Sequence, residues 1–440
     1  MRFKKLLSIL LASTLTLGLV ACGNKDNGES TGETTTGETT TESNEKITVW
    51  AWDESFNIVA ANQAKEIYKE ANPDVEVEVV TMAQDDIVAK LNTSLSSGSY
   101  EGLPNVVLIE DYKIQGYLTA YPDEFADLSS VAKANDFAEY KTGVNVVGDK
   151  LYGIPFDSGV AATFYRVDLI EQAGYTQEDM QDLTWEKYIE IGKAVKEKTG
   201  VAMCTLDPSD LGQIRTMLQS AGAWYTGKNG EVTISNNQAL KDALEIYIEL
   251  AKSGITKQTA DWDQFVGSFN NGEVATVVSG CWIAPSIKNA EDQSGKWAVA
   301  SFPRMGSNTE SVNASSIGGA GWYVLKNVGN TDIAIDFLGK TFASNTDLMN
   351  QLANDITLVS TLNAASECSN YNEANEFFSG QLVFKDLAKW TAEVPSVNYG
   401  LHTYAIEDIM TEAVQAIVNG ADIDSTLEAF QQQIEAAVAY

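Results

Sequence analysis

The chain has 440 residues, enough for two or three domains, and 44% of them are hydrophobic, enough for substantial cores. Its 61 acidic residues outnumber its 29 basic ones, giving a formal net charge of −32. That balance argues against nucleic acid and anionic lipid as partners, because phosphate contact needs Lys and Arg; the single histidine, His402, excludes a His-rich metal site and any Ser-His-Asp or Cys-His machinery elsewhere.

Arg2, Lys4 and Lys5 precede an apolar run from Leu6 to Val20. The run is short for a membrane span and polar sequence follows it, so residues 1–21 read as a signal peptide. Leu19-Val20-Ala21-Cys22 resembles a bacterial lipobox, which implies that Cys22 is lipidated and becomes the mature N-terminus. Residues 22–46 then read as a tether: Thr31-Gly32-Glu33-Thr34-Thr35 repeats as Thr36-Gly37-Glu38-Thr39-Thr40, and no large apolar side chain occurs before Ile47. The remaining cysteines, Cys204, Cys281 and Cys368, are odd in number and read as free, mostly buried thiols.

From Ile47 the chain alternates strands and helices. Ile47–Trp52 is β-branched and aromatic, and reads as a strand. Asp53 or Ser55 is positioned to cap the helix that follows, which carries Ala60, Ala64, Ile67 and Ala71 at helical spacing and stops at Pro73. Val75–Val79 alternates with period two; Ile87, Leu91 and Leu95 mark a second helix; Asn105–Ile109 is a short buried strand. This rhythm predicts a largely parallel sheet with helices on both faces, and ligands in such sheets sit beyond the carboxyl ends of the strands. Trp52 and Asp53 end one such strand, and Asp111 and Tyr112 follow another. Farther on, Thr184 reads as an N-cap before Trp185, Tyr188 and Ile191, and Phe265 and Phe269 lead to a helix end at Gly272. Val274–Val278 reads as a strand running into Gly280-Cys281-Trp282, and a capping box is expected at Ser425 and Glu428.

Several ordered segments together resemble the extracellular sugar-binding proteins of ABC importers, the class that includes the maltodextrin-binding proteins. They are Ile47–Val77, Tyr152–Asp157 with Phe164–Gly174, Thr184-Trp185, Phe269–Trp282 and Gly318–Leu325. The resemblance covers essentially all of 47–440. It implies an α/β, two-lobed periplasmic-binding-protein-like fold of type II, with discontinuous lobes joined by a hinge. Lobe 1 would comprise 47–150 and 318–360, and lobe 2 would comprise 151–317 and 361–440. It further implies reversible capture of a sugar or oligosaccharide between the lobes, delivery to importer permease subunits, a monomer, no enzyme activity, no cofactor and no metal. With Cys22 it implies attachment to the outer face of a Gram-positive membrane through lipid alone.

A pyranose offers an apolar C–H face to an aromatic ring and a rim of hydroxyls to carboxylates and amides. Trp282 matches the family's Gly-x-Trp segment that stacks on sugar. The other candidate contacts are Trp52, Asp53, Asp111, Tyr112, Asp157, Trp224, Trp262, Trp322 and Tyr399. Two alternatives stay open: the same role for a non-sugar solute such as a polyamine or a peptide, and a surface glycoside hydrolase using paired carboxylates.

Overall fold

The computed structural model describes residues 45–438. The expected signal peptide, Cys22 and the tether as far as residue 44 lie outside the described residues.

The first sheet is built from β1 (Glu45–Ala51), β2 (Val75–Thr81), β3 (Val106–Glu110) and β4 (Gly153–Pro155), together with a strand that arrives much later in the chain. In β2 the valines at 75 and 77 are buried and the glutamates at 76 and 78 are exposed, which makes it a half-solvated edge strand. In β3 the residues Val106 to Ile109 are all buried, as expected for a strand covered on both faces. β1 runs parallel to both neighbours, in register from Glu45 opposite Val75 to Ala51 opposite Thr81 on one side.

The second sheet contains β5 (Ala161–Arg166), β6 (Thr276–Gly280) and β7 (Trp297–Ser301). β5 is its central strand, and both neighbours pair with it antiparallel. This departs from the largely parallel expectation. Between β5 and β6 the chain makes a long helical excursion, which leaves either strand direction open to the returning segment. The late strand β8 (Ala320–Val324) then re-enters the first sheet, antiparallel to β3 and β4, giving the order β2-β1-β3-β8-β4.

Three segments connect the two sheet-bearing parts, and they lie side by side. The N–H of Phe156 donates to Ala320 O at 2.9 Å, that of Ser158 to Val359 O at 3.0 Å, and that of Ile317 to Gly159 O at 2.8 Å. Residues 156–160, 315–320 and 357–361 therefore form a narrow bridge. β4 belongs to the first sheet, so the first passage follows Pro155.

Local capping is partly as expected. Thr184 Oγ1 accepts from Lys187 N at 3.2 Å, starting the helix Trp185–Thr199. The helix after β1 begins at Asn57 without a side-chain cap; Asp53 contributes its backbone carbonyl to the first turn instead. At the C-terminus Asp422, not Ser425, is the N-cap: its Oδ1 accepts from Ser425 N at 3.0 Å, and Ser425 lies inside the helix Ile423–Ala437. Among the described residues the three cysteines are free, Cys204 and Cys281 buried and Cys368 half-buried, and no helix is long and apolar enough to cross a membrane.

Candidate functional site

A cavity of about 590 Å³ lies where the first sheet, the bridge and the second sheet-bearing part meet. Trp52, Asp53, Phe56, Asn57, Gln84 and Glu110 line it from the first part. Phe156, Asp157 and Gly318 to Ala320 line it from the bridge, and Trp262 and Trp282 from the second part.

Each wall residue is held by an identifiable device. Trp52 and Asp53 follow the end of β1, and Asn57 Oδ1 accepts from both of their backbone N–H groups, at 3.1 and 3.0 Å. These two hydrogen bonds to one amide oxygen fix the turn. Trp282 follows the end of β6, and its indole N–H donates to Ile317 O, in the bridge, at 2.9 Å. Gly318, at φ +69°, gives the ring room: a Cβ there would stand 3.2 Å from Nε1. Trp262 opens the helix Trp262–Asn270, capped by Asp261, and is 48% exposed. Its ring centroid lies 6.0 Å from that of Trp282, at 34° between planes.

Asp157 is buried on the floor, where its Oδ1 accepts from Ala320 N at 2.9 Å, and burial raises its carboxyl above the ordinary range. Glu110, at the end of β3, accepts from Tyr404 OH at 2.7 Å and from Lys113 Nζ at 2.8 Å.

The structure thus brings Trp52, Asp53, Asp157, Trp262 and Trp282 to one cavity. Asp111 lies just beneath its floor instead, 1% exposed and ion-paired with Lys141. Burial lifts its carboxyl to about 6 against the pull of Lys141. Trp322 is fully buried in β8, stacked on Phe342 with centroids 5.0 Å apart, and does not line the cavity.

Tyr112, Trp224 and Tyr399 form a buried aromatic block with mutual centroid distances of 4.7 to 5.5 Å. Its polar atoms are committed: Trp224 Nε1 donates to Thr403 Oγ1 at 3.0 Å, and Tyr399 OH accepts from Gln219 Nε2 at 3.0 Å. The Arg215 guanidinium lies 4.9 Å from the Tyr112 ring and pairs with Glu407. Tyr112 belongs to the helix after β3, and Trp224, Arg215 and Tyr399 to the second part. The block therefore bridges the two parts, and none of its three rings lines the 590 Å³ cavity.

Phe56, Asn57, Gln84 and Phe156 were not expected at the site. The usable signal was position: Asn57 follows the Trp-Asp pair by one helical turn, and Phe156 precedes Asp157. Among the described residues no group of three or more His, Cys, Asp or Glu is placed to hold a metal ion.

A family model described as bacterial extracellular solute-binding protein matches residues 63–379. The chain belongs to this family. It is 40% identical over 389 residues to a lactose-binding protein of Rhizobium radiobacter, covering 88% of this chain and 92% of that one. It is 25% identical to an arabinooligosaccharide-binding protein of Bacillus subtilis, covering 75% and 74% of the two chains. Among solved structures, the GacH receptor of Streptomyces glaucescens aligns with a TM-score of 0.74 at 17% identity, covering 90% of this chain and 99% of that one. A binding protein from B. animalis subsp. lactis, in complex with beta-1,6-galactobiose, aligns at 0.73 and 20%, covering 89% and 97%. The extracellular solute-binding family and its two-lobed α/β fold account for the bridge and for the cavity beside it.

Proposed function

We propose that this chain is the lipid-anchored saccharide-binding subunit of an ABC importer, holding a neutral sugar or short oligosaccharide in the cavity between two lobes and delivering it to a permease. The lobes would be 47–155 with 318–360, and 156–317 with 361–440, the expected boundary at 150 shifting past β4 because that strand pairs in the first sheet. Cys22 would carry the lipid. Binding without turnover is the expected behaviour, by a monomer.

The observation that carries this reading is the cavity wall. Three indoles offer apolar faces, and Asp53, Glu110 and Asp157 supply carboxylates. The lining contains no Lys or Arg, so an anionic solute has no counter-charge there. The 40% identical lactose-binding relative supports a lactose-like disaccharide as the first ligand to try. Trp52, Asp53, Asp157, Trp262 and Trp282 are the contacts we assign. Closure would draw on contacts made to both lobes at once, at the expense of the open population.

The test is calorimetric titration of the purified protein with lactose, its component monosaccharides, maltose, arabinooligosaccharides and spermidine. Saturable heat with a neutral saccharide, and no product on chromatography, is expected. The carboxylate excess favours a polyamine as the second reading; heat with spermidine alone would replace the first with it. Turnover of a glycan would replace both with a hydrolase.

A further inference from the structure

Beside the first cavity lies a second, of about 240 Å³, contributed by the second lobe and the bridge. Its polar wall includes Asp207, Asp210, Gln213, Thr259 and Asp261. Trp262 and Trp282 line both cavities and are their only common wall residues. Neither lining contains Lys or Arg.

The second cavity has groups suited to hydroxyls. Asp207 Oδ1 is engaged locally by Ser209, at 2.8 Å from its N and 2.6 Å from its Oγ. Asp261 caps the helix that carries Trp262, accepting from Gln264 N at 2.8 Å. Gln213 donates through Nε2 to Val278 O at 3.3 Å, and its Oε1 is buried with no partner among the described residues. An unpaired buried acceptor is costly and is relieved by any donor brought to it.

Resting on the saccharide reading above, we infer that the ligand spans both cavities, with one sugar ring in each and the Trp262–Trp282 pair packing against the linkage between them. A single ring occupies one cavity and leaves the other's acceptors to water. Two glycosidically linked rings satisfy both sets and place apolar C–H faces against the two indoles. The minimum ligand is therefore a disaccharide. The residues that distinguish it from its component monosaccharides are those of the second cavity, Gln213 foremost.

The experiment titrates lactose, galactose and glucose into the purified wild type, Gln213→Ala and Asp207→Asn, with thermal melts of each variant. The second variant keeps the side-chain shape in case the first does not fold. Expected are at least about thirtyfold tighter binding of lactose than of either monosaccharide, and at least about tenfold loss of lactose affinity in a folded variant. Equal affinity for lactose and one monosaccharide overturns the two-cavity placement, as does unchanged lactose affinity in both variants. In either case neutral sugar still binds, so the saccharide reading survives. Absence of binding to any neutral sugar overturns both.

Discussion

Trp282 and Trp322 are both indoles at or beside strand ends, yet they face opposite demands. Trp282 leans on the bridge through its bond to Ile317 O and presents a face to the cavity. Trp322 is sealed between Phe156 and Phe342. Replacing Trp282 by Ala removes a stacking platform, and saccharide affinity should fall at least about tenfold, or about 1.4 kcal/mol, in calorimetry. Trp322→Ala should instead leave a core cavity and cost about 3–5 kcal/mol in denaturant unfolding. An affinity loss in Trp322→Ala larger than in Trp282→Ala, measured where both are folded, would reverse this assignment. Asp111 makes a prediction in pH. Its carboxyl titrates near 6 in the folded protein and near 4 in the unfolded chain, so the folded state holds this proton more tightly. The stability it contributes is complete below about pH 4 and is lost as pH rises to about 6. Asp111→Asn has no such titration. Unfolding free energies measured across this window should show the wild type losing ground to the variant as pH rises, and a constant difference would count against a raised carboxyl.

At the scale of elements, the bridge is where sequence reading was most and least informative. Gly318-Gly319 marked a return to the first lobe, and the structure gives the reason for the second glycine. Gly319 has φ +88°, and a Cβ there would stand 2.6 Å from Lys141 Nζ and 3.0 Å from Asp111 Oδ2. Gly319→Ala therefore combines a left-handed backbone with intrusion on a buried ion pair. It should lower unfolding stability by more than about 1 kcal/mol, which a denaturant melt will measure. Gly98, equally left-handed at φ +67° but with open space around its Cβ position, should lose less on the same change. Strand ends were legible because a strand followed by a helix leaves its last residues at a sheet edge; this found Trp52, Asp53 and Trp282. Facing was not legible where a strand is covered on both sides. All five residues of β8 are buried, so alternation carries no information about which way Trp322 points. Tyr112, Trp224 and Tyr399 were illegible for a different reason. Trp224 lies 112 residues after Tyr112, and Tyr399 a further 175 after Trp224, and only folding shows that they meet one another.

For the whole molecule, the excess of acidic residues acts at a distance. A net charge of −32 repels itself in the compact state, and the two cavities gather further carboxylates between parts that the proposed closure brings together. Screening shortens the reach of that repulsion from roughly 30 Å at 0.01 M salt to roughly 8 Å at 0.15 M. A neutral ligand pays no charge cost of its own, so any salt dependence of its affinity reports on the protein alone. Raising sodium chloride from 0.01 to 0.15 M should therefore raise the melting temperature, and it should also tighten saccharide binding, modestly, by easing approach of the two carboxylate-bearing walls. The contrast with a cationic solute is sharp: screening weakens attraction between a polyamine and the same carboxylates, so its affinity should fall over the same range. Tryptophan emission provides the readout for both, because Trp52, Trp262 and Trp282 all line the cavity. Saccharide affinity that drops as steeply with salt as that of spermidine would mean that charge attraction, and not stacking with hydroxyl recognition, holds the ligand.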